Sequence, residues 1–175
     1  MKIILIRHTS VNVEPGICYG QSDVPLAKSF SNEFEFVKQK LQKKKFDAIF
    51  CSPLSRCIKL AKYCGYETPI LDKRLMELNF GDWEMKAWEK ISDPQLQRWY
   101  DDWINEKPTN GESFQTLLSR VEEFLDELKG LPFQHVAIFT HAGVIRAIKI
   151  INNHFCIKMA FEYKIEYSDI IELNI

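Results

Sequence analysis

The chain has almost no net charge: across 175 residues, 23 Lys plus Arg stand against 24 Asp plus Glu, a formal −1. No global field steers it toward nucleic acid or an anionic lipid surface, so any positive potential must be local. No apolar stretch approaches the ~18 residues of a membrane span, and the run Ile3–Ile6 is too short for the apolar core of a signal peptide. The cysteines Cys18, Cys51, Cys57, Cys64 and Cys156 are odd in number and contain no CxxC, which argues against both a disulfide framework and a zinc site. These absences lead to the expectation of a cytoplasmic protein with reduced thiols and no nucleic-acid or membrane partner. The sequence also lacks internal repeats, low-complexity segments and domain linkers. Its length suits one domain, 1–175, because a chain of roughly 150 residues already buries about 70% of its unfolded surface.

What is present is an alternation. Three short runs rich in β-branched and aromatic residues, Ile3–Ile6, Phe46–Cys51 (FDAIFC) and His135–Thr140 (HVAIFT), suit strands buried on both faces, as in a parallel sheet. Helical patterns lie between them. Phe30, Phe34, Val37 and Leu41 keep one face, and Leu117, Val121, Leu125 and Leu128 keep another before Gly130. Residues 54–64 follow the second strand and stop at Gly65, while 142–153 follow the third. The pattern predicts an α/β fold, a three-layer α/β/α sandwich with a mainly parallel central sheet. The tail from Phe161 to Ile175 is expected to add strands around a turn at Ser168-Asp169. Residues 84–110, with Trp88 and Trp99 among the chain's four tryptophans, read as short helices capping one end of the sheet. The lysines Lys38, Lys40, Lys43, Lys44 and Lys45 read as the solvated end of a helix.

In a parallel α/β sheet, ligands bind beyond the carboxyl ends of the strands. That rule gathers Arg7-His8 after the first strand, Arg56 in CSPLSR after the second, and His141 in THAG after the third. Arginine's planar fork matches phosphate oxygens, and a helix N-terminus adds backbone N–H groups for the same anion. A phosphate pocket follows, in which one neutral histidine could attack phosphorus and the other stabilise the transferring group. The leaving oxygen then needs an acid, for which RLMELNFGDWE offers Glu77, Asp82 and Glu84 without choosing among them. His135 and His154 read as structural, and Arg74 and Arg146 as scaffold ion pairs.

Taken together, LIRHTS, YGQSDVPLA, CSPLSRC, MELNFGDWE, TNGESF and THAGVIR resemble, in order and spacing, the motifs of the histidine phosphatase (phosphoglycerate-mutase-like) superfamily. The resemblance covers nearly the whole chain. It implies His8 as the phosphorylated nucleophile, with Arg7, Arg56 and His141 as phosphate-binding partners and Glu77 as general acid. It adds Gln21, Ser22 and Ala142 as substrate contacts, demotes Asp82 and Glu84 to structural roles, and requires no metal or other cofactor. FGDWEMK and PTNGESFQTLLSRVEEFL look most like the α-ribazole phosphatase branch, in which Met85 likewise stands where most relatives have glycine. The implied partner is a small phosphomonoester, α-ribazole 5'-phosphate or the cobalamin 5'-phosphate. A broader sugar-phosphate or phosphoglycerate phosphatase or mutase and a non-catalytic phosphate-binding module remain as alternatives. Two residues depart from the family pattern: Thr9 replaces the glycine after the R-H pair, and Glu14 stands where an Asn is expected.

Overall fold

The three apolar runs are strands, and their odd and even residues divide the core in two. In the computed structural model, which describes residues 1–175, they are β1 (Lys2–Arg7), β2 (Ala48–Cys51) and β4 (His135–Thr140), joined by β3 (Ile70–Leu71) and β5 (Ile170–Asn174). The order across the sheet is β3-β2-β4-β1-β5, parallel except for β5, which pairs antiparallel with β1. Successive strand side chains point to opposite faces. Ile3 and Leu5 of β1 accordingly pack with α4 (Phe114–Lys129) and α5 (Ala142–Ile151). Ile4 and Ile6 pack with α1 (Phe30–Leu41) and α2 (Ser55–Tyr63) on the other side. The result is the expected three-layer sandwich.

Local chemistry sets the ends of these elements. The Ser113 hydroxyl accepts from the Thr116 N–H at 3.2 Å and caps α4, satisfying one of the orphan donors of a helix start. Asp47, just before β2, accepts from the N–H groups of Gln134 and His135 and so sets where β4 begins. His135 lies exposed at that amino edge, as expected of a strand start.

Two parts of the tail and middle differ from expectation. Only Ile170–Asn174 of the tail forms a strand; Phe161 to Tyr167 is a turn-rich connection, and Ser168 takes a positive φ of 64° at the bend into β5. The two-residue β3 was not anticipated, because Ile70-Leu71 alone carries too little pattern to distinguish a strand. The Trp-rich segment holds one short helix, α3 (Gln95–Asp101), and 3-10 turns. There Trp83 and Trp99 are buried with Cys18 and Ile91 in a small core of their own.

Candidate active site

The carboxyl ends of β1, β2 and β4 meet as the topology requires. β1 delivers Arg7, paired in register with Thr140 of β4, and the His8 N–H continues the ladder to the Thr140 carbonyl at 3.1 Å. β4 runs into His141, whose extended backbone (φ −128°, ψ 167°) forms the N-terminal cap position of α5. β2 leads through Ser52 to α2, whose second residue is Arg56.

His8 is almost fully buried, at 2% exposure, and its Nδ1 lies 2.8 Å from the Thr9 carbonyl oxygen. A carbonyl only accepts, so Nδ1 carries the proton and Nε2 keeps a free lone pair. Burial, reinforced by the Arg56 and Arg7 charges, holds the His8 pKa well below 6.5, with the Thr9 hydrogen bond only partly opposing. The imidazole is neutral at pH 7. The His141 ring lies 5.0 Å from that of His8, and its Nε2 is 2.8 Å from the Ser52 hydroxyl and 3.5 Å from the Cys57 sulfur. Burial, followed by His8, Arg56 and Arg7, likewise lowers the His141 pKa.

The cations are held by carbonyls. Arg7 donates to the Ile165 carbonyl at 2.6 Å and lies over the Tyr167 ring at 3.9 Å. Arg56, at 0% exposure, donates to the Gly20 and Ser22 carbonyls at 2.6 and 2.9 Å. The Nε of each is buried without a partner. A cation desolvated this way, facing dipoles instead of a carboxylate, is suited to receive an anion.

Glu77 approaches from the loop before the Trp-rich segment. Its carboxylate accepts from the Gly143 N–H at 3.1 and 3.2 Å and from its neighbour Leu78 at 3.0 Å. A side chain at position 143 would collide with it, since a Cβ there would lie 2.2 Å from Oε1. The Glu77 carbonyl accepts from Arg120 and from the Gln21 side chain, both at 3.0 Å, which fixes the loop from two sides.

A cavity of about 270 Å³ opens between these groups, lined by Arg7, His8, Glu77, Ala142 and Gly143 on its polar side. Phe80, Trp88, Phe114 and Phe161 line its apolar side, with Tyr19 and Ile17 beside them. The arrangement brings together a neutral nucleophilic nitrogen, a cation, a carboxylate and a helix N-terminus around a space large enough for a phosphoryl group and part of an aromatic substituent. Arg56 and His141, both fully buried, do not line the cavity.

Gln21 and Ser22 do not line it either. The amides of both residues and the Ser22 hydroxyl donate to Glu84, and the Gln21 side chain is committed to Glu77. Burial alone would raise the Glu84 pKa, but the hydrogen bonds from Ser22, Gln21 and Phe80 outweigh it and lower it, so Glu84 is a loop anchor. Asp82 accepts from the exposed Asn110 side chain away from the site. Thr9 is fully buried with its hydroxyl unpartnered, whereas Glu14 is exposed on a loop outside the cavity. Met85, at the usual glycine position, has a positive φ of 63°, the conformation that glycine adopts without strain.

One expectation is overturned. Arg74 pairs with Asp72 and Glu127 as a scaffold ion pair should, but Arg146 pairs with no carboxylate and lines the cavity. Burial disfavours its charge, and Glu77 partly offsets that. Tyr19, whose hydroxyl is 2.7 Å from that of Tyr167 and whose pKa burial raises, was missed as well, as was Arg120. Arg146 carried a signal in its spacing, four residues after Ala142 on one helix; Tyr167 carried none.

No cluster of three or more His, Cys, Asp or Glu could hold a metal ion, and no helix is long and apolar enough to cross a membrane. The sequence model of the "Histidine phosphatase superfamily (branch 1)" matches residues 3–173. The adenosylcobalamin/alpha-ribazole phosphatase of Salmonella typhimurium is 34% identical over 155 residues, 83% of this chain and 76% of that one. The Escherichia coli protein of the same name is 30% identical over 83% and 75% of the two chains. In fold, the crystal structure of the alpha-ribazole phosphatase from Shigella flexneri superposes with a TM-score of 0.86 at 24% identity, covering 100% of this chain and 91% of that one.

Proposed function

This chain belongs to the histidine phosphatase superfamily, and from that premise we propose a phosphoric monoester hydrolase that works through a phosphohistidine at His8, with α-ribazole 5'-phosphate or the cobalamin 5'-phosphate as substrate. The observation that carries the mechanism is the His8 tautomer. With Nδ1–H donating to the Thr9 carbonyl, the free Nε2 lone pair belongs to a neutral ring in the same cavity as Arg7 and Glu77.

In the first step Nε2 forms a bond to phosphorus as the bond to the ester oxygen breaks. The leaving oxygen takes a proton from the Glu77 carboxyl. Arg7 and the N-terminus of α5 face the phosphoryl oxygens, and the buried Arg56 charge and His141 ring favour the anion from outside the cavity lining. In the second step water attacks phosphorus and gives its proton to the Glu77 carboxylate. The P–N bond breaks, His8 returns to its neutral form and phosphate leaves. Uncatalysed phosphate-monoester hydrolysis is slow enough to require up to about 20 orders of magnitude of acceleration, so nucleophile, acid and clamp must act together.

The substrate assignment draws on the named relatives and on the cavity's apolar wall. Phe80, Trp88 and Phe161 offer aromatic surface to a flat base, whereas Trp83 and Trp99 are spent on the core. The test is rapid mixing of the wild-type chain and His8→Ala with α-ribazole 5'-phosphate, read by phosphate release and by the mass of the intact protein. The wild type should turn over and transiently gain one phosphoryl group, and His8→Ala should do neither. Wild-type rates in the variant would remove His8 from the reaction. Phosphate binding without turnover on any phosphomonoester would leave a non-catalytic binding module.

A further inference from the structure

Arg146 is left over after the phosphate has been accounted for. It sits four residues beyond Ala142 on α5, which places it on the same helix face about 6 Å further from the phosphate-binding end. Its Nε donates to the Tyr163 carbonyl at 3.3 Å, and its guanidinium lies over the Phe161 ring at 5.6 Å. Phe161 is itself held edge-on by Trp103 at 4.6 Å. The group is therefore oriented, yet neither of its terminal nitrogens donates to the protein. Two other part-buried arginines, both outside the cavity lining, differ: Arg74 and Arg120 end on Asp72, Glu127 and Glu112. An oriented, half-buried guanidinium with both terminal nitrogens free presents a bidentate fork to whatever fills the cavity.

Resting on the phosphatase reading above, we infer that Arg146 determines specificity by donating to a pair of neighbouring oxygens on the alcohol that carries the phosphate. A sugar's vicinal diol and a carboxylate both supply such a pair. The position fits, because the fork shares a cavity with His8 and Glu77 and lies further along α5 from its N-terminus, leaving room for the alcohol whose oxygen takes the Glu77 proton. The Phe161 ring under the guanidinium and the Tyr163 carbonyl on its Nε hold the fork in place.

The test compares the intact wild-type chain with Arg146→Met and Arg146→Lys on α-ribazole 5'-phosphate (a diol), 3-phosphoglycerate (a carboxylate) and phenyl phosphate, which has neither. In Arg146→Met, kcat/KM on the paired-oxygen substrate relative to phenyl phosphate should fall by about 10-fold to 100-fold, chiefly through KM. Lysine should recover only part of it, since an ammonium is a point charge without a fork. The substrate that loses its advantage identifies the diol or the carboxylate. An unchanged ratio on both substrates, or complete recovery by lysine, overturns the inference. Thermal unfolding checks each variant, and Arg146→Gln, which keeps two donors on a neutral group, replaces the methionine variant if that one does not fold. A wild-type chain that turns over none of the three substrates refutes the phosphatase reading itself, an outcome visible before any variant is compared.

Discussion

Replacing Gly143 by alanine should injure the proposed acid, Glu77, and spare the fold. The Gly143 N–H holds both oxygens of Glu77 at 3.1 and 3.2 Å, and an added Cβ would fall 2.2 Å from Oε1, 3.3 Å from Cδ and 3.4 Å from a Leu117 methyl. A carbon–oxygen contact that short must open by about 1 Å. The backbone cannot supply the movement, because Val144 and Ile145 are fully buried against the core. The carboxylate, at the end of a flexible side chain, must therefore give way. Stability should change little, because the short contact falls on the end of a flexible side chain and not on backbone. The chemistry should suffer more, since a displacement of about 1 Å can cost about 100-fold in rate. The assay is kcat/KM across phosphate esters of graded leaving-group basicity, with thermal unfolding alongside. The loss should approach 100-fold on alkyl esters and shrink on nitrophenyl esters, which leave without a proton. Glu77→Gln should behave the same way, with about 100-fold or more lost on poor leaving groups. Adding Gly143→Ala to it should cost nothing further, as expected when two changes disable one group. An equal loss on good and poor leaving groups, or additive losses in the double variant, would refute this account of how the acid is held.

The two buried histidines make stability and activity depend on pH in the same direction. Their folded pKa values lie well below 6.5, so the unfolded chain binds more protons as pH falls; stability is full above pH 6.5 and is lost as pH drops through the folded values. Urea midpoints should fall between pH 7 and about pH 5, ahead of most carboxylate titration, and the acid limb of kcat/KM should turn below 6.5; a midpoint that rises across that interval contradicts the assignment. Thr9→Val keeps the shape of a fully buried residue while removing its unpartnered hydroxyl. It should stabilise the substrate-free chain by about 1 kcal/mol, measured by chemical denaturation, and a loss of stability would mean that the hydroxyl is bonded. Met85→Gly relieves a positive φ of 63° at a side chain that is 53% exposed. Thermal unfolding should shift upward by the equivalent of about 1 kcal/mol, and a downward shift would assign the Met85 side chain a packing role.

The layers were legible because burial on both faces of a sheet leaves a continuous apolar run. Ile3–Ile6 and His135–Thr140 could be read as strands for that reason, and helix-period spacing exposed α1 and α4. What short-range pattern could not show was pairing. The direction of β5 depends on its ladder with β1, where Ile6 meets Ile170 and Lys2 meets Asn174, and nothing within IIELNI distinguishes an antiparallel edge strand from a parallel one. The two residues of β3 are strand only because β2 lies beside them.

The site divides along the same line. Arg7, His8, Arg56 and His141 follow strand ends, so a rule about parallel sheets was enough to bring them to one edge. Depth is another matter. Whether Arg56 lines a cavity or lies behind it depends on the loop 20–22 folding over its guanidinium, and that loop is anchored by Glu84 from more than sixty residues away. Arg146 was misread for a related reason: a helical arginine near an active site looks the same in sequence whether its partner is a carboxylate or open space. Local pattern therefore identifies the groups that a strand or helix end delivers, while the contacts that orient them are made by distant loops. Glu77 illustrates both: its type and motif were readable, yet what aims it is the absence of a side chain at Gly143, 66 residues further along.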